Sequence, residues 1–276
     1  MNRLEKAIFI FLIYLLASCT SKTPVDYSTE WTLLQTSITY APDNTNEASR
    51  TDNEFDSSGR LIKITKKIND SIVSLSHEYV YSDHLLTYTQ NQYKNGQVTL
   101  TTKYKIKYMD PYWSKPDTIL TYSADGLTET GRTEYSYDSQ YRKIGIVKKL
   151  KSLVVSKSLN YNYSVKSVDY TTINFALNGD TISKTKYKET YFDGNGLKLQ
   201  SRIVYASDNT TEDSKLENSY DSVGRLVESS NYGKNILLIS KSRDYQYSGK
   251  EVTFLTDYYT NKVVNSTDKK KYIYYK

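Results

Sequence analysis

Aromatic residues recur along this 276-residue chain at a spacing close to 27, and that rhythm restricts its fold more than any other feature. The positions are Phe55, Tyr81, Tyr108, Tyr137, Tyr163, Phe192, Tyr220, Tyr247 and Tyr274, with successive intervals of 26, 27, 29, 26, 29, 28, 27 and 27. In five of the nine cases another Tyr stands two residues earlier, on the same face of an extended strand: Tyr79, Tyr135, Tyr161, Tyr245 and Tyr272. Self-similarity at a fixed period of this length marks a chain built from one repeated supersecondary unit.

Turn chemistry identifies that unit as a β-hairpin. Four anchors are followed by Asp56-Ser57-Ser58-Gly59-Arg60-Leu61, Asp138-Ser139-Gln140-Tyr141-Arg142, Asp193-Gly194-Asn195-Gly196-Leu197 and Asp221-Ser222-Val223-Gly224-Arg225-Leu226. Asp at the first position bonds the backbone ahead of it, and Gly at the fourth takes the dihedrals that a type I turn leaves there. A second turn signal falls about half a period later, as at Asn69-Asp70, Asn95-Gly96, Asp125-Gly126, Asn178-Gly179, Asp208-Asn209, Gly233 to Asn235 and Asn261-Lys262. It is missing only between Lys148 and Leu153. Two strands per period, with a first hairpin from Trp31 through Tyr40 back to Phe55, predict an all-β antiparallel meander of 16–18 strands over residues 31–276. Open twisted sheets rarely exceed about 10 strands before they curl or close, so the expected form is one sheet rolled into a shell or barrel.

The pattern Tyr-Asp-x-x-Gly-Arg-Leu resembles the YD repeats of Rhs-type envelope proteins, well at Phe55 to Leu61 and Tyr220 to Leu226, and partially at Tyr137 to Ile144 and Phe192 to Leu199. The resemblance implies a strip of hairpins coiled into a shell. It implies no activity.

Strand faces carry the next expectation. From Val98 to Tyr108 one face reads Val, Leu, Thr, Tyr, Ile, Tyr and the other Thr99, Thr101, Lys103, Lys105, Lys107, so one face is meant for burial. From Leu153 to Tyr163 simple alternation places Lys157 in the apolar stripe, and Lys148, Lys241, Arg243 and Glu228 interrupt others. A membrane-embedded barrel would bear each mid-depth Lys or Arg on its lipid face at roughly 2 to 4 kcal/mol. The expected barrel therefore does not span a membrane, and its Tyr-rich face turns inward. Tyr suits a half-wet interior, because 29 copies beside 6 Phe and 2 Trp give each ring a hydroxyl for water or a partner.

The N-terminus has its own logic. Arg3 and Lys6 precede the apolar run Ala7 to Leu16, which is shorter than the about 20 residues of a spanning helix and is followed at once by Thr20, Ser21 and Lys22. Leu16-Ala17-Ser18-Cys19 resembles the lipobox of bacterial lipoproteins. That resemblance implies a signal peptide over residues 1–18, lipidation at Cys19, a tether over 19–30, and an envelope location, outer membrane in a Gram-negative bacterium. Cys19 is the one cysteine in the sequence, and lipidation accounts for it. Without residues 1–18 the chain holds 35 basic (37 − 2) and 30 acidic (31 − 1) residues, a mildly basic balance.

Mean hydropathy of −0.64 and 25% charged residues exclude a polytopic membrane protein. Catalytic motifs are absent from the sequence. His77 and His84 lie too far apart on an extended chain to share a metal, the turn aspartates Asp56, Asp138, Asp193 and Asp221 come one per turn rather than clustered as in a calcium loop, and no cofactor motif is present. An envelope hydrolase would need paired carboxylates assembled from distant strands. The candidate ligand-binding segment is Tyr108 to Asp117, where Pro111 and Pro116 stiffen a loop carrying Tyr112 and Trp113; with Tyr108 these rings offer platforms for a glycan or a protein side chain. Lysine stripes at Lys103, Lys105, Lys107 and at Lys269 to Lys271 read as solvated faces, since the implied compartment holds polysaccharide and lipid rather than nucleic acid. The expectation is a non-enzymatic envelope protein held to the membrane through Cys19, with a structural or binding role toward envelope polysaccharide or protein.

Overall fold

The computed structural model describes residues 33–41, 46–110, 115–192, 198–206, 208, 210–234 and 237–275. The signal peptide, Cys19 and its tether, the rings of Tyr112 and Trp113, and the turn Asp193 to Leu197 lie outside the described residues.

Eighteen strands follow one another in order: β1 (Leu33–Tyr40), β2 (Glu47–Phe55), β3 (Leu61–Ile68), β4 (Ser71–Ser82), β5 (Leu85–Lys94), β6 (Gln97–Tyr108), β7 (Pro116–Tyr122), β8 (Glu129–Tyr137), β9 (Lys143–Leu150), β10 (Leu153–Tyr163), β11 (Ser167–Phe175), β12 (Thr181–Tyr191), β13 (Leu199–Tyr205), β14 (Glu212–Tyr220), β15 (Leu226–Gly233), β16 (Leu237–Ser248), β17 (Glu251–Thr260) and β18 (Val263–Tyr275). Each pairs antiparallel with its sequence neighbours, and β1 pairs with both β2 and β18, so the meander closes into a barrel. Closure leaves no described strand with an open edge, which removes the aggregation hazard of so long a sheet. The turn that lacks any turn-type residue still forms: Lys151 takes a left-handed φ of 54° between β9 and β10.

The repeated motif has a definite mechanism. In three turns the Asp carboxylate accepts from two backbone amides and from an Arg Nε: Asp56 from Ser58, Arg60 and the Arg60 side chain, Asp138 from Gln140 and Arg142, Asp221 from Val223 and Arg225. The guanidinium then lies over a Tyr ring of the next hairpin, Arg60 on Tyr81 at 5.3 Å, Arg142 on Tyr163 at 5.0 Å and Arg225 on Tyr247 at 5.1 Å. That Tyr donates its hydroxyl to the carbonyl of the residue after the Arg: Leu61 at 2.7 Å, Lys143 at 2.5 Å, Leu226 at 2.6 Å. Asp, Arg and Tyr thus lock a turn to its neighbouring hairpin.

These three units sit 82 and 83 residues apart, at Arg60, Arg142 and Arg225, and reveal a longer period than 27. The barrel is three groups of six strands: β2–β7, β8–β13, and β14–β18 completed by β1. Ladder breaks fall at matching places, with Glu78, Asn160 and Asp244 at φ of 60°, 59° and 57° in β4, β10 and β16. Each of these bulges shifts the strand's alternation by one residue. The expected stripe of Leu153 to Tyr163 is corrected accordingly: Lys157 and Leu159 face outward, while Tyr161 and Tyr163, beyond the bulge, face in. One anchor also moves. Tyr191, rather than Phe192, stands where Tyr108 and Tyr274 stand, its amide donating to Lys166 as theirs donate to His84 and Lys250.

Tyr141 occupies the turn position held by Gly59 and Gly224 in the related turns, at φ 58° against their 73° and 79°. A left-handed non-glycine residue costs roughly 1 to 2 kcal/mol. Part of that is offset by the Lys115 ammonium 4.5 Å from its ring, worth about 0.5 kcal/mol at an exposed site. Tyr141→Gly is therefore expected to raise the thermal midpoint; a lower midpoint would show that the ring contact outweighs the backbone strain.

Candidate functional site: a charged sector of the barrel lumen

The tyrosine face is the concave one. Lys143 on β9 is influenced by Glu189 on β12 and Arg202 on β13, and Tyr161 on β10 by Tyr135 on β8, which side chains several strands apart achieve only where the wall curves toward them. Charges divide the same way. Lys66, Lys143, Lys148 and Lys270, on the tyrosine face, are lowered from the ordinary lysine value, first by desolvation. Arg50, Arg132, Lys215, Lys241 and Arg243, on the opposite face, are raised, first by hydrogen bonds to acidic partners.

The outer wall is built of paired charges. Arg50 bonds Asp52 at 2.9 Å, Arg132 bonds Glu129 at 2.8 Å, and Lys215 bonds Glu217 at 2.7 Å, at matching places in the three groups. Lys149–Glu134, Lys241–Glu228 and Arg243–Asp257 add further pairs at 2.9, 2.8 and 2.6 Å. Lys103 and Lys105 on β6, Lys186 and Lys188 on β12, and Lys269 and Lys271 on β18 form three basic stripes around this wall.

Inside, aromatic rings stack across strands in each group. Tyr79, Tyr88 and Tyr104 stack at 4.8 and 4.5 Å, Tyr161, Tyr170 and Tyr187 at 4.9 and 4.9 Å, and Tyr245 lies 4.6 Å from Phe254, with Tyr272 edge-on to it. In the first group Leu86, Tyr104, Ile106 and Ile119 form an apolar cluster with Tyr108 packed against it. Small hydroxyl residues line the wall beyond the stacks, among them Ser74, Ser76, Ser156, Ser240 and Thr256. No described side chain is sealed wholly from solvent, the most enclosed hydrophobic ones, Ile106 and Val252, keeping 3% of their surface exposed.

The second group differs from its two relatives at the lumenal positions. Where the first group has Ile106 and Ile119, the second has Glu189 and Arg202, paired at 2.8 Å. Where the first and third have Leu61 and Leu226, the second has Lys143. Tyr170 donates to Glu189 Oε1 at 3.2 Å and Tyr191 to Oε2 at 2.6 Å, filling the carboxylate's acceptor sites. Desolvation first, then the Glu189 charge, raises both phenols far above the ordinary tyrosine value. Burial acts most strongly against the Arg202 charge, yet the Glu189 carboxylate together with the Tyr170 and Tyr191 phenols keeps the guanidinium raised. Lys143 and Lys148 share the adjacent wall on β9, where Lys148 lies opposite Thr133 and Ser156. Neither ammonium makes a hydrogen bond or ion pair with the described residues; the Glu189 charge favours that of Lys143 and Arg202 disfavours it, while Lys143 disfavours that of Lys148. The sector therefore holds three cations against one carboxylate.

Of the candidates read from the sequence, Tyr108 closes β6 and packs into the lumenal cluster rather than standing on the loop, and Asp117 lies at the start of β7; Tyr112 and Trp113 lie outside the described residues. Sequence reading passed over Lys143, Glu189 and Arg202. Aligning the chain on its period of 82 to 83 residues exposes them as charges where the first group has Leu61, Ile106 and Ile119 and the third has Leu226, Tyr272 and Ser37.

No protein-family model matches the chain, and no curated protein matches it. Among solved structures it is similar to a porin-like protein from Bacteroides uniformis at 12% identity and a TM-score of 0.46, covering 90% of this chain and 97% of that one. A porin-like protein from Bacteroides vulgatus is similar at 13% identity and a TM-score of 0.31, with 75% and 95% covered. The Photorhabdus luminescens Tc holotoxin pore is similar at 10% identity and a TM-score of 0.15, with 85% of this chain and 20% of that one covered. At these identities and TM-scores the likenesses carry no function to this chain.

Proposed function

We propose that this chain is a lipid-tethered barrel of the bacterial envelope that stands in water beside the membrane and serves a binding or structural role rather than a catalytic one. The observation that carries the reading is the outer wall. Its charge pairs and lysine stripes encircle the barrel at mid-height, where lipid contact would cost roughly 2 to 4 kcal/mol for each cation and exceed the stability of a domain. The described residues also contain no helix long and apolar enough to cross a membrane. Attachment would thus fall to Cys19 and its lipid. Two or more acyl chains hold a protein stably where one is marginal.

The geometry of the ends fits a tether. β1 begins and β18 ends side by side, Leu33 opposite Tyr275, at the same rim as the three Asp–Arg–Tyr turns. The 13 residues between Cys19 and Leu33 span at most about 45 Å when extended, so this rim would face the bilayer and the opposite mouth would face away. The YD-like repeat contributes the wall, locking hairpin to hairpin. Cys19→Ala is expected to move the full chain from the carbonate-washed membrane pellet to the supernatant, monomeric without detergent. Retention in the pellet would overturn the tether, and a requirement for detergent would overturn the water-facing wall.

A further inference from the structure

We propose that the lumenal cluster of Lys143, Lys148 and Arg202 is a binding site for oxyanions, carried to it as the sulfate, phosphate or carboxylate groups of an acidic polysaccharide. The inference deepens the reading of the barrel as an envelope binding protein and rests on it.

Symmetry supplies the first argument. The same fold is built three times in one chain, and two of the copies show what its packing requires at these places. Leu61 and Leu226 fill the position of Lys143, and in the first copy Ile106 and Ile119 fill those of Glu189 and Arg202. Charge at Lys143, Glu189 and Arg202 is therefore not demanded by the wall, whereas Lys148 has a lumenal lysine, Lys66, as its counterpart in the first copy and Asn231 in the third. Placing charge in a confined space acts against stability unless each ion is compensated. Arg202 is compensated by Glu189 at 2.8 Å, but neither Lys143 nor Lys148 has an ion-pair or hydrogen-bond partner among the described residues. Their lowered proton affinity, caused first by desolvation, reports the same deficit.

The surroundings select the ligand. Glu189 has its oxygens bonded by Arg202, Tyr170 and Tyr191, which makes it a fixed brace for the guanidinium; its charge reaches Lys143 only at a distance, without a hydrogen bond. The neighbouring lumenal wall offers Thr133, Ser156 and Ser158 on the strands flanking the lysines. Hydroxyls of this kind suit a hydroxyl-rich chain, as ammonium groups suit its anions. Lys66 and Lys270, also lumenal, extend the positive field along the interior.

The test uses detergent-solubilised, lipidated full chain with dextran sulfate, neutral dextran and inorganic sulfate as probes, read by titration calorimetry at two salt concentrations. The informative variant is Lys143→Leu/Lys148→Asn, which installs the leucine that both related copies carry at Leu61 and Leu226 and the asparagine that the third copy carries at Asn231, where the first has Lys66. A control variant, Lys103→Thr/Lys105→Thr, removes an outer stripe. Expected results are binding of dextran sulfate but not neutral dextran, a loss of about tenfold or more and a shallower salt dependence in the lumenal variant, and less than about twofold change in the control. Cooperative melting of the lumenal variant, at or above the native midpoint, accompanies that loss. Inorganic sulfate binding as tightly per site as the polymer would uphold the oxyanion site and overturn the polysaccharide as its source. Unchanged affinity in the lumenal variant, transfer of the loss to the control, or no binding of either sulfate probe would overturn the site. Fractionation of Cys19→Ala reads the tether separately, so failure of one reading is distinguishable from failure of the other.

Discussion

Raising the pH from 10 to 12 is expected to unfold the barrel in a single cooperative step. Ten lumenal tyrosines, at 104, 137, 161, 163, 170, 187, 191, 245, 247 and 272, have proton affinities raised above the ordinary value of 10.0, each first by desolvation. Tyr104 and Tyr163 are pushed up to about 12. A phenol whose folded value lies above its unfolded one stabilises the fold fully below pH 10, and that contribution disappears as the pH climbs through the folded value. For Tyr104, 9% exposed, two pH units amount to about 3 kcal/mol. Several such losses together exceed the 5–15 kcal/mol that holds a domain folded.

The lysines act in the opposite sense at lower pH. Lys143 and Lys148 have folded values below the unfolded 10.5, so their unfavourable charge is present at neutrality and relaxes as the pH rises through those lowered values. Stability should therefore climb in mild alkali before collapsing. Circular dichroism and tyrosinate absorbance, followed together, check this: loss of strand signal must coincide with a steep rise in phenolate. A shallow phenolate titration centred near 10 in a barrel that stays folded to pH 12 would sink the idea.

Removing β1 is expected to abolish the monomeric barrel. This strand supplies the sixth position of the third group and forms both ladders that close the ring, Thr36 to Thr39 lying opposite Ile273 to Lys270 on β18 and opposite Asp52 to Ser49 on β2. Ile38, 5% exposed, and Thr36, 5% exposed, bury their side chains in the process. A chain starting at Glu47 would expose two long edges, and open edges of that length recruit other chains. Size-exclusion chromatography with light scattering should show oligomers, and melting should lose its cooperativity. Adding the peptide Leu33–Tyr40 in trans should restore part of the monomer. A monomer with an unchanged midpoint would mean that closure contributes little.

The hairpin rhythm was legible because everything it depends on is local. Turn residues such as Asn95-Gly96 and Asp125-Gly126 mark chain reversals by their own dihedral preferences, and alternate strands end at or within a residue of all nine anchors read from the sequence. One anchor, Phe192, is displaced by a residue because Tyr191 and Phe192 are adjacent aromatic residues, and only the hydrogen bond to Lys166 distinguishes them. Face assignment failed where a bulge intervened. Asn160 and Asp244 are residue types that accept a left-handed backbone, but Glu78 is not, so the displaced alternation beyond it carries no clear local signal.

By itself the sequence determined the number of hairpins, the antiparallel order and the aromatic face, since strand alternation and turn geometry act over a few residues. Only the tertiary structure decided which charges share a space. Lys143 and Glu189 are 46 residues apart in sequence and three strands apart in the sheet, and they influence one another because 18 strands closed into a ring curve the wall inward. Closure is a property of the whole meander, and the charged sector of the lumen exists through it alone.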